Sequence, residues 1–350
     1  GAAMSESLGN AVRLPAPVRP GATIAVTAPS AGVATELRPR LDFAVSWLEG
    51  RGYRVRLGDC LGTPSQVSAP PAVRAAELTD LLLDPTVSAV IPPWGGETGI
   101  DLLRFLDWDR LGDADPTWLV GYSDLSTLLV PMTVRCGWAT LHGANLMDTP
   151  YRVPPQLSHW LDVVTLEPGS MLVQRASTVH RGPGFDDWIA DPTTDLRPLD
   201  RPGSWRRLDG RDQSVSATGV LIGGCLETVG NLPGSGLADL ATFAPGADLL
   251  VYLEASETNA FDVARRLHGL RLAGWFDRAA AVLIGRTDAP DDEGFTQEDA
   301  VHDALGDLSV PVLLDVDCGH VAPMLMIVNG ASATVSWSPV GGVLEQLLPA

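Results

Sequence analysis

At 350 residues, with 43 acidic against 24 basic side chains and a formal charge of −19, the chain is long enough for two hydrophobic cores and strongly acidic. That balance argues against nucleic acid and anionic membrane surfaces as partners. Every basic residue other than histidine is arginine, and the absence of lysine excludes Schiff-base chemistry, a Walker-type phosphate loop and a Ser-Lys dyad. No apolar run reaches the ~18 residues needed to span a bilayer, and no signal-like apolar segment opens the sequence. Cys60, Cys136, Cys225 and Cys318 are scattered, with no C-x-x-C pair, so reduced thiols and a cytoplasmic location are expected.

In chain order, residues 1–20 are Pro-rich and read as an ordered lead-in. Residues 23–28 form a predicted strand that ends at the turn Ala28-Pro29-Ser30. Leu37, Leu41, Ala44, Val45 and Leu48 recur at helical spacing, and Gly50 closes that helix. Residues 53–57 read as a strand, Ala72, Ala75, Leu78 and Leu82 mark a helix, and residues 89–91 read as a third strand. A short helix is expected over 100–106. Next, Trp118, Leu119 and Val120 end a buried strand, Gly121 permits a sharp turn, and Ser123-Asp124 offers cap chemistry for a following helix. Strands alternating with helices at this spacing predict a parallel, helix-covered sheet with sites at the carboxyl ends of its strands.

From about 165 to 213 the periodicity fades into a Pro/Gly-rich stretch carrying Phe185, Trp188 and Trp205. It reads as a linker or as a loop covering a ligand. Strands resume over 215–222, 249–253 and 280–284, with a helix marked by Val263, Leu267 and Leu270. Residues 310–314 lead into Asp315-Val316-Asp317-Cys318-Gly319-His320, and 333–337 and 343–348 read as two antiparallel strands. The fold class is therefore α/β. An amino-terminal domain (1–165) of flavodoxin- or Rossmann-like parallel sheet precedes a connection (166–213) and a smaller α/β domain (214–350).

A serine projected between a strand end and a helix start has the logic of a nucleophile elbow, although Asp124 and Leu125 depart from G-x-S-x-G; Ser123 can equally be a helix cap. Such a serine needs a base and an orienting carboxylate. His142 and His320, each after a strand end, are the candidate bases, and Glu254 is the carboxylate delivered by an apolar strand. Rival readings are a metal site at Asp315, Asp317, Cys318 and His320, and a thiol nucleophile at Cys225. The glycine pairs make no G-x-G-x-x-G fingerprint.

Five motifs, in order along nearly the whole chain, resemble the LD-carboxypeptidase (S66 serine peptidase) family. They are Pro20-Gly21 through Pro29-Ser30, Trp94-Gly95-Gly96, Gly121-Tyr122-Ser123-Asp124, Leu253-Glu254, and Gly319-His320 before Pro323. The resemblance implies a Ser123–His320–Glu254 triad and an oxyanion hole from the backbone N–H of Asp124 and of a glycine in Gly95-Gly96. It also implies a barrel-like carboxyl-terminal domain, no metal or other cofactor, and a homodimer. Pro93-Trp94-Gly95-Gly96-Glu97 and Gly223-Gly224-Cys225-Leu226 depart from the pattern of the murein-cutting members. The loop with Phe185, Trp188 and Trp205 is similar to the microcin C self-immunity branch, which implies a peptidyl- or aspartyl-nucleotide conjugate as substrate and those rings as its contacts. A murein tetrapeptide is the alternative substrate, and a non-enzymatic small-peptide binder the alternative class.

Overall fold

The computed structural model describes residues 11–62 and 67–350, so the first ten residues of the expected lead-in lie outside the described part. The strands of the first half are β1 (Thr23–Val26), β2 (Arg54–Leu57), β3 (Val87–Ile91), β4 (Trp118–Gly121) and β5 (Thr140–His142). The middle segment adds β6 (Met171–Arg175), β7 (Val179–His180), β8 (Arg201–Pro202) and β9 (Arg206–Arg207). The last part contributes β10 (Val215–Cys225), β11 (Leu249–Glu254), β12 (Ala279–Gly285), β13 (Val312–Val316), β14 (Ile327–Asn329), β15 (Ser332–Ser338) and β16 (Gly341–Leu347).

Two sheets hold the molecule together. The first runs β14-β5-β4-β3-β1-β2, parallel throughout except that β14 lies antiparallel to β5. The second runs β6-β16-β15-β10-β11-β12-β13-β9, with β10 to β13 parallel and the remaining pairings antiparallel. In this order β6 and β9 are the two ends of a mixed sheet. The residue patterns follow from the pairing. Strands β4 and β11 are covered on both faces and are apolar along almost their whole length, whereas β15 alternates inward apolar with outward polar residues.

Sheet membership departs from chain order. Strand β14 comes late in the chain yet completes the first sheet, while β6 and β9, from the expected 166–213 connection, belong to the second. The helix Ser126–Val134 packs against both β5 and β10, and its residues through Thr133 are buried. A helix sandwiched between two sheets has no polar face, which is why its sequence reads apolar all round. Ser126 sits at its start, and its Oγ accepts the N–H of Cys225 at 3.0 Å, joining the helix to the end of β10. The expected helix over 100–106 is a 3₁₀ helix, Gly99–Arg104.

Candidate active site

Glu254 ends a parallel strand, Ser123 and His320 each follow the carboxyl end of another, and the packing of the two sheets brings these ends together. After β4, Tyr122 stays extended and Ser123 turns to φ 64°, entering one 3₁₀ turn (Ser123–Leu125) and then the helix Ser126–Val134. A non-glycine residue in the left-handed region stores about 1–3 kcal/mol and persists where surrounding contacts enforce it. Here the Tyr122 N–H donates to Asn145 Oδ1 at 3.2 Å, and the Gly143 N–H donates to the Gly121 carbonyl at 3.1 Å. The turn is thus pinned from the segment after β5.

His320 Nε2 lies 2.9 Å from Ser123 Oγ, and His320 Nδ1 lies 2.9 Å from Glu254 Oε2. Glu254 is the last residue of β11 and is buried. Gly319 lets the histidine loop close over it: at φ 113°, a methyl group on that glycine would fall 2.5 Å from Glu254 Oε2. Burial alone would lower the basicity of His320, but the charge and hydrogen bond of Glu254 dominate and raise its pKa above the ordinary value. Burial likewise opposes ionisation of Glu254, and the His320 ring outweighs it, holding the carboxyl below its usual range. Both shifts favour an imidazolium–carboxylate pair.

Beside the hydroxyl stands Gly95. A methyl group there would come within 3.0 Å of Ser123 Oγ and 3.5 Å of the Asp124 nitrogen, so the glycine backbone and the Asp124 N–H flank the same atom. Gly96, at φ 141°, abuts Ser30 and Ala31. The Asp124 carboxyl points away and accepts the Gly99 N–H at 2.7 Å; burial raises its pKa, with hydrogen bonds from Ser30 and Gly99 opposing.

Ser123 and His320 open into a cavity of about 570 Å³ whose lining includes Trp94, Tyr151, Phe185 and Trp188. Trp188 is half-buried and anchored: its Nε1 donates to Tyr151 Oη at 2.8 Å, and Tyr151 donates to Asp186 at 2.5 Å. The Arg40 guanidinium, itself buried, stacks 4.8 Å from the rings of both Tyr151 and Trp188. Arg181 and Arg197 also line the cavity, paired with Asp186 and Asp148 at 2.8 Å each. Sequence reading missed Tyr151, Arg181 and Arg197 because their partners are supplied by tertiary packing.

One expected contact and three alternative readings do not match the structure. Trp205 is buried in the second sheet, its Nε1 donating to Asp317 Oδ2 at 3.0 Å, and it does not line the cavity. His142 is buried and is not the histidine at Ser123, whose hydroxyl meets His320. The four residues of the rival metal reading diverge: Asp315 pairs with Arg206, Asp317 with Arg286, and His320 with Glu254, while the Cys318 thiol is buried. Cys225 is also buried, and burial raises its pKa well above that of a free thiol, which removes it as a nucleophile. Among the described residues no helix is long and apolar enough to cross a membrane.

Comparison with known proteins gives the family. Residues 24–143 match the model of the LD-carboxypeptidase N-terminal domain, and residues 218–335 match that of the C-terminal domain. The chain belongs to the LD-carboxypeptidase (peptidase S66) family. It is accordingly a peptide-bond hydrolase. A Vibrio cholerae protein named as a candidate carboxypeptidase is 27% identical over 87% of this chain and 89% of its own length. The microcin C7 self-immunity protein MccF of Escherichia coli is 25% identical over 93% of each chain. Among solved structures, MccF in complex with aspartyl sulfamoyl adenosine superposes with a TM-score of 0.80 at 23% identity, covering 97% of this chain and 99% of that one. A muramoyltetrapeptide carboxypeptidase from Oxalobacter formigenes gives 0.68 at 18% identity, covering 94% and 100%. These likenesses establish a shared two-domain fold.

Proposed function

We propose that this chain is a serine amidase acting through Ser123, His320 and Glu254 on a peptidyl- or aminoacyl-nucleotide conjugate. The observation that carries the reading is the continuous relay Ser123 Oγ–His320 Nε2 and His320 Nδ1–Glu254 Oε2, 2.9 Å at each step. Ser123 attacks the carbonyl while His320 takes its proton, and Glu254 stabilises the imidazolium that forms. The oxyanion develops beside Gly95, where the Asp124 N–H and a glycine N–H of the Gly95-Gly96 pair are the donors. His320 then passes its proton to the leaving amine. Water enters by the same base to release the acyl group and restore Ser123.

The conjugate is favoured over a murein tetrapeptide by the cavity wall. Trp188, Tyr151, Trp94 and Phe185 present flat apolar surface within the cavity, and stacking on a nucleobase contributes roughly 1–3 kcal/mol per base. A muramoyl tetrapeptide has no aromatic plane to use that contact. The relatives include MccF, whose structure holds aspartyl sulfamoyl adenosine.

The test has two parts. A fluorophosphonate probe followed by peptide mass mapping is expected to label Ser123, and absence of labelling would remove the serine mechanism. Aspartyl sulfamoyl adenosine and an L,D-linked tetrapeptide are then assayed side by side. Faster cleavage of the tetrapeptide would transfer the chain to murein chemistry with the same triad.

A further inference from the structure

The relay accounts for one oxygen of Glu254. The other, Oε1, is fully buried and has no partner within hydrogen-bonding distance among the described residues, the Cys225 thiol opposite Glu254 on β10 being the other polar neighbour of the carboxyl. The same holds for both ring nitrogens of His142, a residue that is itself 1% exposed. Half of the buried side-chain polar atoms left without a partner in the described structure thus belong to these two residues. Buried polar atoms are almost always satisfied, by protein or by ordered water, because an unmade bond costs more than a made one contributes.

The two residues are connected through shared neighbours. His142 ends β5 beside Gly121, the residue that opens the serine turn. Glu254 ends β11, and Tyr252, two residues earlier, shares its sheet face. The Tyr252 ring packs edge-on against the His142 ring at a centroid distance of 5.2 Å. The electrostatic field of Glu254 reaches His142, as does that of His320. His142 also meets the edge of Tyr122 at 6.3 Å, and Tyr122 in turn packs on His320 at 5.2 Å.

We propose that His142 is a positioning residue for the triad carboxylate, linked through a buried water molecule to Glu254 Oε1. The inference rests on the hydrolase reading above. A neutral imidazole donates one N–H to the water, and the water donates to the carboxylate oxygen that the relay leaves unused. With both oxygens held, Glu254 keeps one rotamer and presents Oε2 to His320 Nδ1 throughout the reaction. The water needs polar partners to stay in a buried site, and the orphan atoms of His142 and Glu254 supply them. His142 does not touch the serine and takes no proton from it.

The experiment uses the rate of Ser123 phosphonylation by a fluorophosphonate, which needs no identified substrate. His142→Leu is expected to slow labelling by about ten- to hundredfold, since small displacements of a catalytic group carry penalties of that size. His142→Gln, whose amide can donate to the same water, is expected to remain within about threefold of the unaltered protein. Equal loss in the two variants, or labelling of His142→Leu at the wild-type rate, would overturn the proposal. If neither variant folds, a high-resolution crystal structure of the unaltered protein decides: density bridging His142 and Glu254 Oε1 supports the link, and its absence refutes it. Failure of the unaltered protein to react with the probe would instead count against the hydrolase reading.

Discussion

Ser123 Oγ and His320 Nε2 approach to 2.9 Å across 197 residues of sequence, and the serine reaches that position only by adopting φ 64°. The same geometry that aims the hydroxyl is unfavourable for any residue with a Cβ. Activity and stability are therefore expected to part company here. Ser123→Ala and Ser123→Gly should both lower kcat/KM by on the order of 10⁴ or more. Ser123→Gly should be more stable than Ser123→Ala by about 1 kcal/mol, because glycine occupies the left-handed region without that penalty. Denaturant unfolding of the two variants measures the difference, and equal midpoints would mean that the turn is not strained.

Glycine has the opposite consequence at the facing position. A methyl group on Gly95 would lie 3.0 Å from Ser123 Oγ and 3.1 Å from its Cβ, closer than carbon ordinarily sits. Gly95→Ala is expected to displace the nucleophile and lower kcat by about a hundredfold, in line with the cost of a 1 Å misplacement. Unfolding midpoints should change little, because the crowding falls on a side chain that faces the cavity. Retention of more than half the activity would show that Gly95 does not stand against the reacting atoms.

Proton linkage gives a third prediction. Burial pulls the His142 pKa from 6.5 down to about 4, with Glu254 acting to raise it and His320 to lower it. Between those values the unfolded chain binds a proton that the native chain refuses, so stability falls as pH drops through that window, by on the order of 3 kcal/mol. Above pH 6.5 the residue contributes nothing. Glu254 adds to the trend: its lowered carboxyl contributes above the usual carboxylate value and is lost as pH falls through the lowered one. His320 works the other way, since a raised imidazole contributes fully below its ordinary pKa and loses that contribution as pH rises through the raised value. Melting temperatures taken between about pH 7 and pH 5 should drop less for His142→Gln than for the unaltered protein. On the kinetic side, kcat/KM should fall on the acid side with a midpoint above 6.5, the ordinary value for His320.

The strand ends that carry Ser123 and Glu254 were legible because parallel strands buried on both faces are written as unbroken apolar runs. Leu249 to Leu253 ends at Glu254, and Trp118 to Val120 ends just before the serine turn. What stayed hidden depends on partners far away in sequence. Strand β6 went unread because its inward Gln174 interrupts the apolar alternation, although that amide is buried and bonds the Ser158 N–H, the Met326 N–H and the Met326 carbonyl. Strand β14 has three residues and joins the first sheet by pairing with β5, which nothing in its neighbourhood announces. The histidine at residue 142 was recognised as sitting at a strand end, but only packing shows that it is enclosed.

The two loop tryptophans make the sharpest contrast and the last prediction. Trp205 was expected at the substrate, yet it fills the second sheet: Asp317 takes its Nε1 hydrogen, the Trp337 Nε1 donates to its carbonyl at 2.9 Å, and Gly342 leaves room for its ring. Trp188 lines the cavity, with Arg40 stacked on it and its Nε1 spent on Tyr151. Removing each ring should therefore produce opposite signatures. Trp205→Ala is expected to cost about 3–5 kcal/mol of stability, as for other buried aromatic deletions, and to strand the Asp317–Arg286 pair without one of its donors. Activity per folded molecule should be nearly unchanged at low temperature. Trp188→Ala should leave the unfolding midpoint within about 1 kcal/mol of wild type and raise KM for aspartyl sulfamoyl adenosine about tenfold, equivalent to ~1.4 kcal/mol. An L,D-linked tetrapeptide should show no such change. Calorimetry and steady-state kinetics on both variants separate the cases. A KM effect of Trp188→Ala that is equal for the two substrates would mean that the ring shapes the cavity without contacting a nucleobase.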